Sequence, residues 1–339
     1  MTTTSGRAKP TMALPLVSFA ARKSPYIASL AVLVAFFVVH AITSSGALTT
    51  FGFGSYTNAG ASIALAAAGA AVVVMAGGFD LSVGAITALV NVIVATQMRD
   101  SAASIVLITV LALVVGAAAG ALNGAFVTFT KLPSVIVTLA TSFVWSGVAL
   151  LVLASPGGSV PQSFADAITG SGLVGVPNAL FVLIVAVLAW LLVSRTPLRV
   201  HLLAIGGDPA AARANGIPVG RIQIAAFALA GFCYALSGLF LSALTVSGTP
   251  DLGADFTLNA FAAVVVGGTQ FGGGRGSPIS GLIGAYVLYT SFSILFAIGA
   301  STFMNYVLTG AILVLAVIIQ NPRNLLRGRR TDPVSGAGG

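Results

Sequence analysis

A chain of 339 residues with 57% hydrophobic and only 6% charged residues cannot cover the surface of a soluble domain, where about a quarter of residues are charged. The net charge of +8 does not point to nucleic acid, because the cations are scattered between apolar runs rather than gathered on one face. The single cysteine, Cys233, lies within an apolar run; it excludes an intramolecular disulfide and a cysteine metal cluster, and is expected to be a packed hydrophobe.

Residues 1–24 are polar, aperiodic and carry Arg7, Lys9, Arg22 and Lys23, which predicts a disordered cytosolic tail. Residues 26–42 are apolar and too long for the core of a secretory signal, so an uncleaved first span is expected, with a signal ending near Ser44–Ala47 as the rival. Apolar runs at 59–76 and 81–97 flank the break Gly77-Gly78-Phe79-Asp80. Each is short against the roughly 20 residues a crossing helix needs, so they read as two short spans around a turn. Runs at 105–129 and 135–153 follow, separated by Lys131-Leu132-Pro133, and a Gly/Pro-rich loop fills 155–177. Further runs at 179–193, 222–246, 258–266, 279–298 and 303–319 bring the total to ten spans, or to nine plus a re-entrant segment if 258–266 does not cross. Residues 321–339 form a basic, flexible tail, leaving 25–320 as one transmembrane domain.

The positive-inside rule discriminates between the two counts. With ten spans and a cytosolic N-terminus, fourteen of the fifteen cations fall inside and only Arg99 falls outside, together with Asp100, Asp166, Asp251 and Asp255. A re-entrant eighth segment would place the C-terminal arginines outside. Both termini are therefore expected in the cytosol. The segments AAVVVMAGGFDLSVGA from Ala70 and AAVVVGGTQFGGGRGSPISGLIGA from Ala262 echo one another six spans apart, as parallel repeats would; chance similarity in so small-residue-rich a chain is the competing account.

The longest polar interruption is 195–221, which holds four of the fifteen cations. Within it Asp208 is a good N-cap, Pro209 is preset for a first helical turn, Ala210 to Arg213 favour helix, and Asn215-Gly216 supplies a stop. A short capped helix held out in water suits docking of a soluble partner. No nucleotide site is legible: none of Lys9, Lys23 and Lys131 follows a phosphate-cradling glycine loop. His40 and His201 stand apart from any ligand set, so catalysis by this chain is not expected. Asp80 is the one candidate for a buried charge, either as a cap for the helix that follows or in gating. Asn91, Asn123 and Asn259 are read as pathway amides or as interhelical hydrogen-bond partners. Gly116, Gly120 and Gly124 share a face at small-xxx-small spacing and are expected to pack.

Four motifs occur in order: GGFDLSVGA at 77–85, LNGAFVTFTKLPSVIVTLAT at 122–141, AIGGDPAAARANGI at 204–217 and AAVVVGGTQFGGGRGS at 262–277. Together they resemble the permease subunits of ribose-type, simple-sugar importers of the ATP-binding-cassette class, over nearly the whole chain. The resemblance implies an all-α polytopic fold of about ten transmembrane helices with a short cytosolic coupling helix. It also implies a bacterial inner-membrane location, a second permease subunit, two ATP-binding-cassette ATPase subunits and an extracytoplasmic sugar-binding protein. ATP and Mg2+ would sit on the ATPase, with no cofactor on this chain. The implied docking residues are Ala204, Gly206, Gly207, Asp208, Pro209, Ala211, Ala212, Arg213, Asn215, Gly216 and Ile217; Gly267, Gly268, Gly273, Gly274 and Arg275 are candidates for a second contact. Asp208-Pro209 departs from the usual motif, where an amide and a polar residue are common. A stand-alone facilitator remains the alternative, as do branched-chain amino acids or a signalling furanose as cargo.

Overall fold

The structure is a computed structural model that describes residues 25–172 and 175–320; the expected tails at 1–24 and 321–339 lie outside them. Among the described residues there are thirteen α-helices and no strand, only isolated bridges pairing Gly157 with Gly248 and Ser171 with Pro177. In chain order the helices are α1 Pro25–Thr43, α2 Thr50–Met75, α3 Val83–Gln97, α4 Ala102–Thr130, α5 Ser134–Val152, α6 Gln162–Thr169, α7 Asn178–Val193, α8 Pro197–Gly207, α9 Pro209–Ala214, α10 Val219–Thr245, α11 Gly253–Val266, α12 Pro278–Ala297 and α13 Met304–Gln320. Four of the starts follow ordinary hydroxyl capping: the hydroxyls of Thr49, Ser101, Thr196 and Ser277 accept from the first turns of α2, α4, α8 and α12. Lys131, at φ 57°, closes α4 in the left-handed region just before Pro133.

Among the described residues five helices are long and apolar enough to cross a membrane: α2, α4, α5, α10 and α12. A sixth crossing is available if α7 and α8, bent by 81°, form one broken span. The apolar parts of α1, α3, α11 and α13 are shorter. At 1.5 Å per residue, α3 is only about 22 Å long against about 30 Å of hydrocarbon.

The bundle is organised around α2. Its apolar stretch is 89% buried, against 28% for α4 and 22% for α5. That contrast follows from composition. Ala, Gly and Ser around the whole circumference of α2 let neighbours close in on every side, whereas α4 and α5 carry large apolar residues such as Leu107, Phe126, Phe143 and Leu151 outward. Helices α4 and α10 meet backbone to backbone, as the Gly116/Gly120/Gly124 face predicts. A Cβ at Gly120 would collide with the Phe227 carbonyl, and one at Gly231 with that of Gly116. His40, in the last turn of α1, stacks on Tyr56 at 5.3 Å and shares Nδ1 contacts with Ser44 and Ser293, a packing role rather than a ligand set.

Gly231→Val should therefore force α4 from α10 and cost about 1–3 kcal/mol, seen as a lower Tm of the detergent-purified protein. Gly147→Ala, inside α5 where nothing lies within 4 Å of an added Cβ, should hold or raise Tm, because Ala favours a helix interior over Gly.

Candidate functional site

The polar interruption contains two helices rather than one. Besides the expected α9, residues Pro197–Gly207 form α8, whose start is fixed by the Thr196 cap and by Pro197 in the first turn. Only Asp208 separates the two. Its backbone N–H closes α8 on Ala204 O, while Oδ1 accepts from Ala210 N (2.8 Å) and Ala211 N (3.0 Å) to open α9. The far end stops as the sequence predicts: Gly216, at φ 81°, bonds to Arg213 O and Ile217 N to Ala212 O, a paired cap that satisfies two end carbonyls. Ala212 is buried with Ile205 and Val219, and Ile217 packs against that cluster. Ala212 and Ile217 therefore seat α9, as Gly206 seats α8, with Ala204 half-buried. Gly207, Asp208, Pro209, Ala211, Asn215 and Gly216 form the outward face, with Arg213, also exposed, at the edge beside the ends of α4 and α5.

Gly206 ties this elbow to the core. It lies against Met75 O at the end of α2 and against the amide of Gly274, which itself donates to Met75 O at 3.1 Å. A Cβ on Gly273 would stand 2.8 Å from the Cα of both Gly206 and Gly77, and one on Gly274 3.0 Å from Gly207 Cα. So the α8–α9 elbow, the end of α2 and the loop at 267–277 form one junction in which backbones touch because side chains are absent. The loop leaves Gly268, Gly272 and Arg275 exposed beside the elbow, while Gly267 is buried against Ser280.

The two echoing segments end their helices identically. After α2, Gly77 N bonds to Val74 O (2.9 Å) and Gly78 N to Val73 O (3.0 Å); after α11, Gly268 N bonds to Val265 O (2.8 Å) and Thr269 N to Val264 O (3.1 Å). Gly77 and Gly268 both take positive φ, 77° and 94°. Both helices also bring their C-terminal ends to the same junction.

Between α2 and α3 the extended backbone is held by hydroxyls from other helices. Ser134 Oγ accepts from Phe79 N (2.8 Å), Thr138 Oγ1 from Leu81 N (2.9 Å) and Thr257 Oγ1 from Gly84 N (3.1 Å). Asp80 lies at this turn as expected, yet fully enclosed. Its Oδ1 accepts from Ser82 N (3.0 Å) and Ser82 Oγ (2.5 Å). Ser82 Oγ accepts in turn from Asn123 Nδ2 (2.7 Å), and Asn123 Oδ1 accepts from Trp145 Nε1 (3.2 Å). Asp80 Oδ2 and the Tyr234 hydroxyl are within interaction range of each other but outside hydrogen-bonding geometry. Asn91 joins α3 to Ser242 Oγ, Ser247 O and Thr249 N at 2.8, 3.0 and 2.6 Å. Asn259 Oδ1 accepts from Thr309 Oγ1 on α13 at 3.1 Å. The three amides are thus interhelical hydrogen-bond partners.

None of these four residues lines the cleft of about 410 Å³ that opens between α3, α5 and α11. One wall is Leu139, Ser142, Phe143 and Ser146, an i, i+3, i+4, i+7 stripe of α5. Gly84, Ala85 and Ala88 of α3 leave the space open opposite, with Thr257 and Asp251 at the α11 side. Phe143 is 73% exposed. Sequence reasoning missed this site. The available signal was two serines at helical spacing beside a small-residue face. Among the described residues no group of three or more His, Cys, Asp or Glu could hold a metal ion.

Comparison with known proteins gives the family. Residues 52–317 match the model for the permease component of branched-chain amino acid transport systems. The chain is 35% identical over 263 residues to ribose import permease protein RbsC of Bacillus subtilis (strain 168), covering 77% of this chain and 81% of the relative. It is 31% identical to the D-allose transport system permease protein AlsC of Escherichia coli (strain K12), over 73% of this chain and 76% of the relative. It is 30% identical to the autoinducer 2 import system permease protein LsrD of Yersinia enterocolitica, again over 73% and 76%. No solved structure matches the chain. The apolar helical bundle with its glycine junction is thus a multi-pass membrane protein, and the chain belongs to the family of permease components of branched-chain amino acid transport systems.

Proposed function

We propose that the chain is the membrane-spanning subunit of an ATP-driven sugar importer, moving its solute by alternating access powered by a separate ATPase. The observation that carries this reading is the elbow: a capped helix with an outward face, joined by backbone contact at Gly206 to the end of the most buried helix. A facilitator has no use for such a surface. The similarity to permeases named for ribose, allose and autoinducer 2 favours a sugar or furanose over a branched-chain amino acid, despite the family's title.

In this reading the chain crosses ten times: through the five long helices, through α7, which turns by 81° into α8 at the cytosolic side, and through α1, α3, α11 and α13. The junction and both termini face the cytosol of a bacterial inner membrane. The matched caps of α2 and α11 support parallel pseudo-repeats. The exposed face of α5 and the one-sided cleft suit closure by a second copy, so that two clefts enclose one pathway. ATP and Mg2+ belong to the two ATPase subunits, and a binding protein outside delivers the solute. The outward faces of α9 and of the loop at 267–277 form one composite docking surface. Asp80, Asn91, Asn123 and Asn259 act as ties that hold the pathway walls, with the Asp80–Ser82–Asn123–Trp145 chain linking the break to α4 and α5.

Labelled ribose should enter vesicles only when the ATPase and the binding protein are both present. Uptake that persists without the ATPase would establish the facilitator instead. Ala211→Asp, on the outward face of α9, should abolish co-purification of the ATPase while membrane insertion and Tm stay normal; retained pairing would rule out docking there. Ser142→Leu with Ser146→Leu should narrow the cleft and cut uptake at least about tenfold, a barrier increase of ~1.4 kcal/mol, with ATPase pairing intact. Unchanged uptake would move the pathway elsewhere.

A further inference from the structure

A second cleft, of about 270 Å³, opens where α4 ends and α5 begins; α9, α10 and the end of α2 with Gly77 and Gly78 complete its wall. Its polar lining is Thr128, Lys131, Ser134, Arg213 and Gln223, and no carboxylate lines it. The lining is rich in donors. Lys131 offers an ammonium, Arg213 a guanidinium and Gln223 an amide NH2, while Ser134 Oγ, already accepting from Phe79 N, keeps its proton to donate. Such a set fits a group that presents several acceptor oxygens and negative charge, and leaves a neutral polyol poorly matched.

The position narrows the choice. Helices α4 and α5 are long and apolar enough to cross a membrane and are the least buried of the five, so their joint lies at a hydrocarbon boundary whichever way the chain is oriented. Lys131, Arg213 and Leu132 all line the cleft and are all exposed, and Phe129, two residues before Lys131, is 77% exposed. Exposed cations with bare apolar side chains next to them along the chain match the two ends of an amphiphile. A carboxylate from a soluble partner would bring nothing to cover Phe129 and Leu132.

We propose that this cleft binds the phosphate of an anionic phospholipid between Lys131 and Arg213, with the acyl chains running along the exposed face of α4. Since Arg213 belongs to α9 and Lys131 closes α4, a bound lipid ties the elbow to the end of α4 through the phosphate. The inference rests on the chain spanning a membrane and is independent of its cargo.

The test is native mass spectrometry of the full chain released from nanodiscs of phosphatidylglycerol or phosphatidylcholine. Wild type should retain one phosphatidylglycerol in preference to phosphatidylcholine. Lys131→Asn, which keeps a residue tolerant of the left-handed backbone, should weaken retention roughly fivefold, the share of one cation near an anionic surface. Lys131→Arg should restore it, and Arg195→Gln, an exposed cation outside the cleft, should have no effect. Equal retention of both lipids, or retention indifferent to Lys131→Asn, overturns the proposal. So does saturation by inorganic phosphate without lipid preference, which would make this a site for a free anion. Loss of ATPase pairing in Lys131→Asn with lipid retention unchanged would assign the cleft to the partner and likewise overturn it.

Discussion

Backbone that leaves a helix inside an apolar bundle must find hydrogen-bond partners there, because no bulk water will supply them. The break between α2 and α3 meets that constraint with borrowed hydroxyls from α5 and α11, and with the Asp80 carboxylate behind Ser82. The three helices are thereby fixed around one another. The cleft exists because of this: its α5 stripe and its α3 floor are set at the spacing that Ser134, Thr138 and Thr257 impose. A buried aspartate is costly unless paired, and here half of its bonding capacity goes to the turn while Oδ2 has no hydrogen-bond partner.

At the other end of the same break, glycine rather than hydroxyl chemistry decides the geometry. Gly77, Gly206, Gly207, Gly273 and Gly274 let three segments from distant parts of the chain meet main chain to main chain. The contact has two parts: close packing, and the amide of Gly274 reaching Met75 O. Any side chain at Gly206 would displace both neighbours. The polar elbow, the end of the central helix and the loop after α11 are therefore one mechanical body, and the cleft begins one short turn away.

Much of this was legible in the residues. The spans at α4, α5, α7, α10 and α12 agree with their apolar runs to within a few residues, because composition alone distinguishes them from their surroundings. The caps of α9 were legible because Asp, Pro and Asn-Gly act locally. Helix α8 was not: PLRVHLLAIGG mixes charge with apolar residues over eleven positions, and Leu202 on its apolar side is buried with residues from distant parts of the chain, Val72 and Met75 of α2 and Ala226 of α10. The first turns of α2, TFGFGSYTN, hid because two glycines and several polar residues break the apolar run there, although the Thr49 cap starts the helix and Tyr56 and Thr57 are buried. Asp80 was expected at a turn and found at one, but its enclosure depends on Tyr234 and the other helices around it. The cleft escaped notice because two serines on an apolar helix look like ordinary packing until the facing glycine and alanines are known.

One residue, Asp208, stands between α8 and α9, and its amide and carboxylate are both committed to the helices on either side. A joint of that kind couples its two arms: the residue that ends α8 also begins α9, so neither helix end can shift without breaking a cap of the other. Through Gly206, which stands against Met75 O, the pair is seated on the end of α2 by main chain alone, so the position of the exposed helix is set by the most enclosed one.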